Sequence, residues 1–235
     1  MIKEAIVLAG GFGERLKSVV KDKPKPMAEI NNKPFLAYIL EFLQNQNIDK
    51  VILSVGYKKE IIQNYFGNRY LNLMIEYAVE EEPLGTGGGI KNAIKLIQGE
   101  EFFLLNGDTF FNVDLNFFYK LHKNSASNLS IALKILEIAE RYGAVVIDKT
   151  YKIIAFHEKA KRYNVFINGG TYILNKNFFC SFELENKFSF EKDFLEKLYK
   201  TCAFYGFPFE GFFIDIGIPE DYQRAQEEFK KISFT

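Results

Sequence analysis

Four short apolar runs, each separated from the next by a stretch with helical spacing, constrain this 235-residue chain more than any other feature. The runs at 5–8, 51–55, 73–79 and 102–105 are too short for helices. They are also largely apolar on consecutive positions, as strands buried on both faces are. Between the first two, residues 34–46 place Phe35, Ile39, Leu40, Phe42 and Leu43 on one helical face, with Pro34 suited to a first turn. Residues 58–66 and 88–97 read as the next two helices. This βαβαβαβ order predicts an α/β fold, a Rossmann-like three-layer sandwich whose central sheet is mixed and mostly parallel. Ligands of such sheets gather at the carboxyl ends of the strands, where a glycine loop (10–13) and Asp108 fall. Beyond residue 125 the pattern changes. Residues 129–136, 144–147 and 165–174 read as strands of a mixed extension, 190–199 as a helix and 219–231 as a closing amphipathic helix. With no internal repeat and no linker, one domain over 1–235 is the economical division.

Charge narrows the partners. Lys plus Arg number 30 and Asp plus Glu also number 30, so no basic excess serves a nucleic-acid backbone. No stretch approaches the ~20 apolar residues of a membrane span, and the apolar run after Met1 is too short for a secretory signal. The expectation is a soluble, cytoplasmic protein without nucleic-acid or membrane partners. Cys180 and Cys202 show no metal-ligand spacing and read as buried, reduced thiols. The 25 Phe and 13 Tyr, with no Trp, read as core filling.

The loop after the first run is the most informative segment: Leu8-Ala9-Gly10-Gly11-Phe12-Gly13-Glu14-Arg15-Leu16. Glycines let backbone approach a phosphate, N–H groups at a helix start favour anions, and Arg15 adds a cationic fork. A dinucleotide-binding loop would need glycine where Leu16 stands, and no Walker A loop is present. Ten residues on, Lys23-Pro24-Lys25-Pro26-Met27 holds Lys25 between two stiffening prolines. Taken singly, a structural turn explains the glycines and a solvated charge explains the lysine. Their succession is harder to explain so.

L-A-G-G-x-G-x-R-L followed by P-K-P-M resembles the signature of the sugar-phosphate nucleotidyltransferases, and the resemblance runs along essentially the whole chain. It implies a fold of the nucleotide-diphospho-sugar transferase type, with a nucleotide-binding half (1–125) and a sugar-phosphate-binding half (126–235). It further implies that Leu8, Ala9, Gly10, Gly11 and Gly13 wrap the nucleotide while Arg15 and Lys25 bind its phosphates. Glu14 departs from the family's usual Thr and is expected to point away, without a role. Asp108 of Asn106-Gly107-Asp108 and Asp215 of Phe213-Ile214-Asp215 match the family's two Mg²⁺ aspartates, whereas Asp221 reads as a helix N-terminal residue. On the sugar side, Arg141-Tyr142-Gly143, Glu158-Lys159 and Asn168-Gly169-Gly170 match three shorter family motifs in their order. They imply sugar contacts from Tyr142, Gly143, Glu158, Asn168 and Gly169, with Lys159 on the sugar phosphate. The family's proline after the Glu-Lys pair is Ala160 here.

Glu80, with the Gly85-Thr86-Gly87 loop, bears on the base. A carboxylate accepts from the adjacent N1–H and N2–H₂ of guanine, whereas an amide suits uracil or thymine. An acidic surface run is the competing reading. The Ser18-Val19-Val20 segment resembles the D-glycero-α-D-manno-heptose 1-phosphate guanylyltransferases within the family, which serve bacterial surface polysaccharides. The resemblance therefore implies GTP and a heptose 1-phosphate as substrates, Mg²⁺ as cofactor and a homodimer as a common assembly. With the sequence ending soon after Tyr222, the β-helical acyltransferase module of some bifunctional relatives is not expected. A mannose 1-phosphate guanylyltransferase, a hexose 1-phosphate uridylyltransferase and a non-catalytic sugar-nucleotide-binding subunit are the alternatives. The presence of Arg15, Lys25, Asp108, Lys159 and Asp215 argues against the last. Neither His122 nor His157 is needed, because the attacking phosphate oxygen is already anionic.

Overall fold

The computed structural model describes residues 1–11, 16, 20 and 22–231. Gly13, Glu14, Arg15, Ser18 and Val19 lie outside the described residues. The first part of the chain runs β1 (Glu4–Leu8), β2 (Glu29–Ile30), β3 (Lys33–Pro34), α1 (Phe35–Asn45), β4 (Lys50–Val55), α2 (Lys59–Phe66), β5 (Arg69–Tyr70), β6 (Leu73–Val79), α3 (Gly85–Ala93), β7 (Glu101–Asn106), β8 (Thr109–Phe111) and α4 (Leu115–Asn124). The second part runs β9 (Leu129–Ala139), β10 (Ala144–Ile147), β11 (Ile153–His157), β12 (Arg162–Asn175), α5 (Lys176–Cys180), a π-helical turn (Phe190–Leu195), α6 (Glu196–Leu198), β13 (Phe204–Phe209), β14 (Phe213–Asp215) and α7 (Pro219–Glu228).

The main sheet follows the order β11-β10-β12-β7-β1-β4-β6-β5, with β9 along the other side of β12 and β13 beyond it. Strands β7, β1, β4 and β6 are mutually parallel, and β12 joins β7 antiparallel. The expected three layers are visible residue by residue. Ala5, Val7, Val51, Leu53, Phe103 and Leu105 enter one core with α1, α2, α4 and α7. Their neighbours Ile6, Ile52, Phe102 and Leu104 enter the other, with α3, α5 and the π-helical turn. The period-2 alternation thus feeds two cores, which is why the middles of these strands are apolar on consecutive positions.

The carboxyl ends of the parallel strands finish level: Leu8 pairs with Ser54 on one side and Asn106 on the other. That register sets Gly10, Glu80 and Asp108, each just beyond a strand end, along one edge. Expected strands and helices recur with shifted bounds, and several elements were not anticipated. Helix α4 is capped by Asp114, whose carboxylate accepts the Phe117 N–H at 2.9 Å. The expected helix at 190–199 is a π-helical turn followed by one short α-helical turn. The expectation of buried thiols is corrected: Cys180 is exposed and Cys202 half-buried. Helix α5 turns Phe179 inward, which leaves the adjacent Cys180 outward. Among the described residues no helix is long and apolar enough to cross a membrane.

Candidate active site

A two-stranded ladder brings together two acids distant in sequence. Strands β8 and β14 pair antiparallel with Asp215 opposite Thr109, and the Ile216 N–H donates to the Asp108 carbonyl at 3.0 Å. Asp108 and Asp215 therefore flank one point at the sheet's carboxyl edge. Lys25 arrives there from a 3₁₀ turn between Pro24 and Pro26 whose Met27 is buried. Its Nζ lies 2.5 Å from Asp108 Oδ2 and 3.9 Å from Asp215 Oδ1. Thr109 Oγ1 donates to Asp108 Oδ1 at 3.2 Å, and Asp215 accepts from the Gly217 N–H at 2.6 Å and the Tyr142 hydroxyl at 3.5 Å. Burial, then the Asp108 charge, raise the Asp215 pKa against the pull of Lys25. The Tyr142 phenol is likewise raised by burial and by Asp215.

Two carboxylates make a small donor set. Among the described residues no group of three or more His, Cys, Asp or Glu side chains could hold a metal. The paired carboxylates are hard oxygen donors of the kind Mg²⁺ takes in small number, with phosphate and water completing its shell.

On one side of this cluster lies a cavity of about 350 Å³. Of the residues expected on the nucleotide, Leu8, Gly10, Gly11, Lys25, Glu80, Gly85 and Thr86 line it. Ala9 and Gly87 do not. Ala9 is buried, with its N–H on the Ser54 carbonyl at 2.8 Å. Gly87 faces Phe188 so closely that a Cβ would stand 2.1 Å from the ring. Glu80 is fixed by donors on both oxygens, the Ser54 hydroxyl at 2.8 Å and the Leu84 N–H at 3.2 Å. Each oxygen keeps a lone pair, so the carboxylate still offers two adjacent acceptors.

On the other side lie two joined cavities of about 360 and 330 Å³. Asn106 and Asp108 belong to both the first cavity and the second, so the three form one groove with Lys25 and the two aspartates at its middle. Tyr142, Gly143, Lys159 and Asn168 line the second, and Glu158 the third. Gly169 does not reach the groove, because it packs where a Cβ would stand 2.5 Å from the Phe111 ring. Gly170 lines the second cavity in its place. The expected Asn-Gly-Gly turn is an irregularity within β12: the register against β9 passes from Asn168↔Leu133 to Tyr172↔Ile131. Asn168 Oδ1 accepts the Gly170 N–H at 3.0 Å, and Gly170 has φ of +71°. Gly170→Ala should cost about 1–2 kcal/mol for that backbone region and lower the melting temperature by a few degrees, read by calorimetry.

Asp221, as expected, lies in the first turn of α7 rather than in the groove. It is buried and ion-paired to Arg141 and Arg224, so it anchors the segment that presents Tyr142. Several groove residues escaped the sequence reading, Asn106 and Glu191 among them. Asn106 ends β7 between the first two cavities, and Glu191 lines the second and third. The only signal for Glu191 was Ser189 before it, a helix-capping residue type.

The family model described as nucleotidyl transferase matches residues 4–232. The D-glycero-alpha-D-manno-heptose 1-phosphate guanylyltransferase of Aneurinibacillus thermoaerophilus is 52% identical, over 96% of this chain and 97% of that protein. The protein of the same name from Campylobacter jejuni is 49% identical, over 93% and 96%. Mannose-1-phosphate guanylyltransferases stand further off, at 34% identity for one from Arabidopsis thaliana. Among solved structures, HddC from Yersinia pseudotuberculosis complexed with GMP-PN superposes with a TM-score of 0.87 at 41% identity, covering 97% of this chain and 100% of that one. The sheet, the groove and these likenesses agree that the chain is an enzyme fold of one kind: it belongs to the nucleotidyl transferase family.

Proposed function

We propose that the protein transfers a guanylyl group from GTP to D-glycero-α-D-manno-heptose 1-phosphate, giving GDP-heptose and pyrophosphate. The observation that carries the reaction type is the Lys25–Asp108–Asp215 cluster at the junction of two cavities, where a nucleotide and a sugar phosphate would meet. Base and sugar are supported by the relatives at 52% and 49% identity and by Glu80 in the first cavity.

The attacking oxygen of a sugar 1-phosphate is already ionised, so no side chain has to remove a proton. What the protein must supply is alignment on the α-phosphorus and relief of anion–anion repulsion. Lys159, in the second cavity, binds the attacking phosphate, and Lys25 lies at the junction to meet the triphosphate. Arg15 takes the phosphate role implied by the glycine-loop motif. Glu80 accepts from guanine N1–H and N2–H₂, while Tyr142, Gly143, Glu158 and Asn168 hold the sugar. Asp108 and Asp215 would hold Mg²⁺, which when bound supplies charge neutralisation at the reacting phosphates. Tyr142 and the Gly217 N–H fix the orientation of Asp215 for that task.

A pyrophosphate-release assay over five nucleoside triphosphates and a set of sugar 1-phosphates tests this reading. GTP should exceed UTP and dTTP by about 10²-fold or more in kcat/KM, because the wrong base leaves the Glu80 acceptors unpaired. The heptose phosphate should exceed mannose 1-phosphate by about tenfold or more. Release only with UTP or dTTP would reject guanine, and no release with any pair would reject the enzyme reading.

A further inference from the structure

The segment that carries Glu191 is laced to the nucleotide-side loop. The Phe188 N–H donates to the Leu84 carbonyl at 3.0 Å, and the Gly87 N–H returns to the Phe188 carbonyl at 3.0 Å. Thr86 Oγ1 crosses between the two segments and donates to Glu191 Oε2 at 2.7 Å. The same hydroxyl oxygen accepts the Phe190 N–H at 2.9 Å, so Thr86 both gives and receives across the seam. Ser189 Oγ donates to Glu191 Oε2 at 3.1 Å and accepts the Lys192 N–H at 3.2 Å, while Asp193 accepts the Ser189 N–H at 2.9 Å. These bonds cap the π-helical turn, and such turns recur at functional sites.

The result is a carboxylate with its two oxygens unlike. Oε2 is saturated by two hydroxyls, while Oε1 meets no donor among the described residues. Glu191 lines both cavities on the sugar-phosphate side of the reacting cluster, and Thr86 lines the nucleotide cavity. A carboxylate with one pinned oxygen and one open acceptor suits a hydroxyl group, which donates a charge-assisted hydrogen bond. It would repel a phosphate. We propose that Glu191 binds a ring or side-chain hydroxyl of the sugar 1-phosphate, and that Thr86 is its positioning residue, tying the sugar contact to the nucleotide cavity. This rests on the nucleotidyltransfer reading of the groove, not on the identity of base or sugar.

Steady-state assays of the full chain test it. Glu191→Gln should raise the KM for the sugar 1-phosphate about ten- to a hundredfold, the range for a lost hydrogen bond to a charged group. The KM for the nucleoside triphosphate and the melting temperature should stay near wild type. A monodeoxy series of the sugar 1-phosphate then identifies the hydroxyl. One analogue should lose activity with the wild type and lose nothing further with Glu191→Gln. Thr86→Val should also raise the KM for the sugar 1-phosphate, and the double variant should be no worse than Glu191→Gln alone, as members of one contact are not additive. The proposal is overturned if Glu191→Gln keeps every deoxy penalty of the wild type, or raises both KM values alike. The series is built on whichever sugar 1-phosphate the wild type turns over. A wrong base or sugar therefore shows in the wild-type panel, while Glu191 is judged by the difference between variant and wild type.

Discussion

Asp108→Asn should lower the turnover number for pyrophosphate release by about 10³-fold or more, in the range found when a transition-state charge loses its preorganised partner, while the melting temperature stays within a few degrees of wild type. Asp108 is more than a third exposed, and its partner Lys25 keeps Asp215 within 3.9 Å, so no buried charge is stranded by the change. Asp215→Asn should remove turnover to a similar degree and leave the melting temperature unchanged or raise it. The reason is the direction of its pKa. Burial and the Asp108 charge favour the protonated carboxyl in the folded chain, so the ionised form costs stability at neutral pH. A folded pKa above the unfolded one means that this group's contribution falls as pH rises through the folded value; an amide removes that cost. Loss of activity without loss of stability is the signature of a strained functional pair. Pyrophosphate release and calorimetry on the two variants check it, and an Asp108→Asn enzyme with wild-type turnover would remove the aspartate from the reaction.

That pair also shows how far the sequence could be read from local pattern. Strands β1, β4 and β7 announce themselves because both of their faces are buried, which forces consecutive apolar residues. Strands β8 and β14 hold three residues each, too few for any period, yet their ladder is what sets Asp215 beside Asp108. Pairing at such a separation in sequence leaves no local trace, so the second aspartate was visible only through resemblance. Motif membership also overstated contact. Ala9, Gly87 and Gly169 sit inside the expected motifs but turn to packing: Ala9 is buried just beyond β1, Gly87 lies in α3 against the Phe188 ring, and Gly169 lies in β12 against the Phe111 ring. Glu191 was missed for the opposite reason. In Ser189-Phe190-Glu191-Lys192-Asp193 its charge reads as a solvated face, and only the fold turns it toward the groove.

The second large effect is expected in the aromatic core, at Phe194. Its fully buried ring stacks on Phe190 at 5.5 Å and Phe204 at 6.2 Å and meets Phe179 at 5.1 Å and Phe182 at 5.3 Å. Phe194→Ala should cost about 3–5 kcal/mol, since it removes a whole ring from a packed cluster, and lower the melting temperature by about 10 °C. Phe194→Leu refills most of that volume and should lose less than half as much. The cluster reaches the groove through the backbone. Phe190 and Phe194 bracket Glu191 on the π-helical turn, and the Phe190 N–H is held by Thr86. Phe194→Ala should therefore raise the KM for the sugar 1-phosphate at 25 °C, well below its own melting point, and shift the KM for the nucleoside triphosphate less. Calorimetry and steady-state kinetics on the two variants separate the effects. A lower melting temperature with both KM values unmoved would show that the seam between Thr86 and Glu191, rather than the aromatic cluster, holds the turn in place.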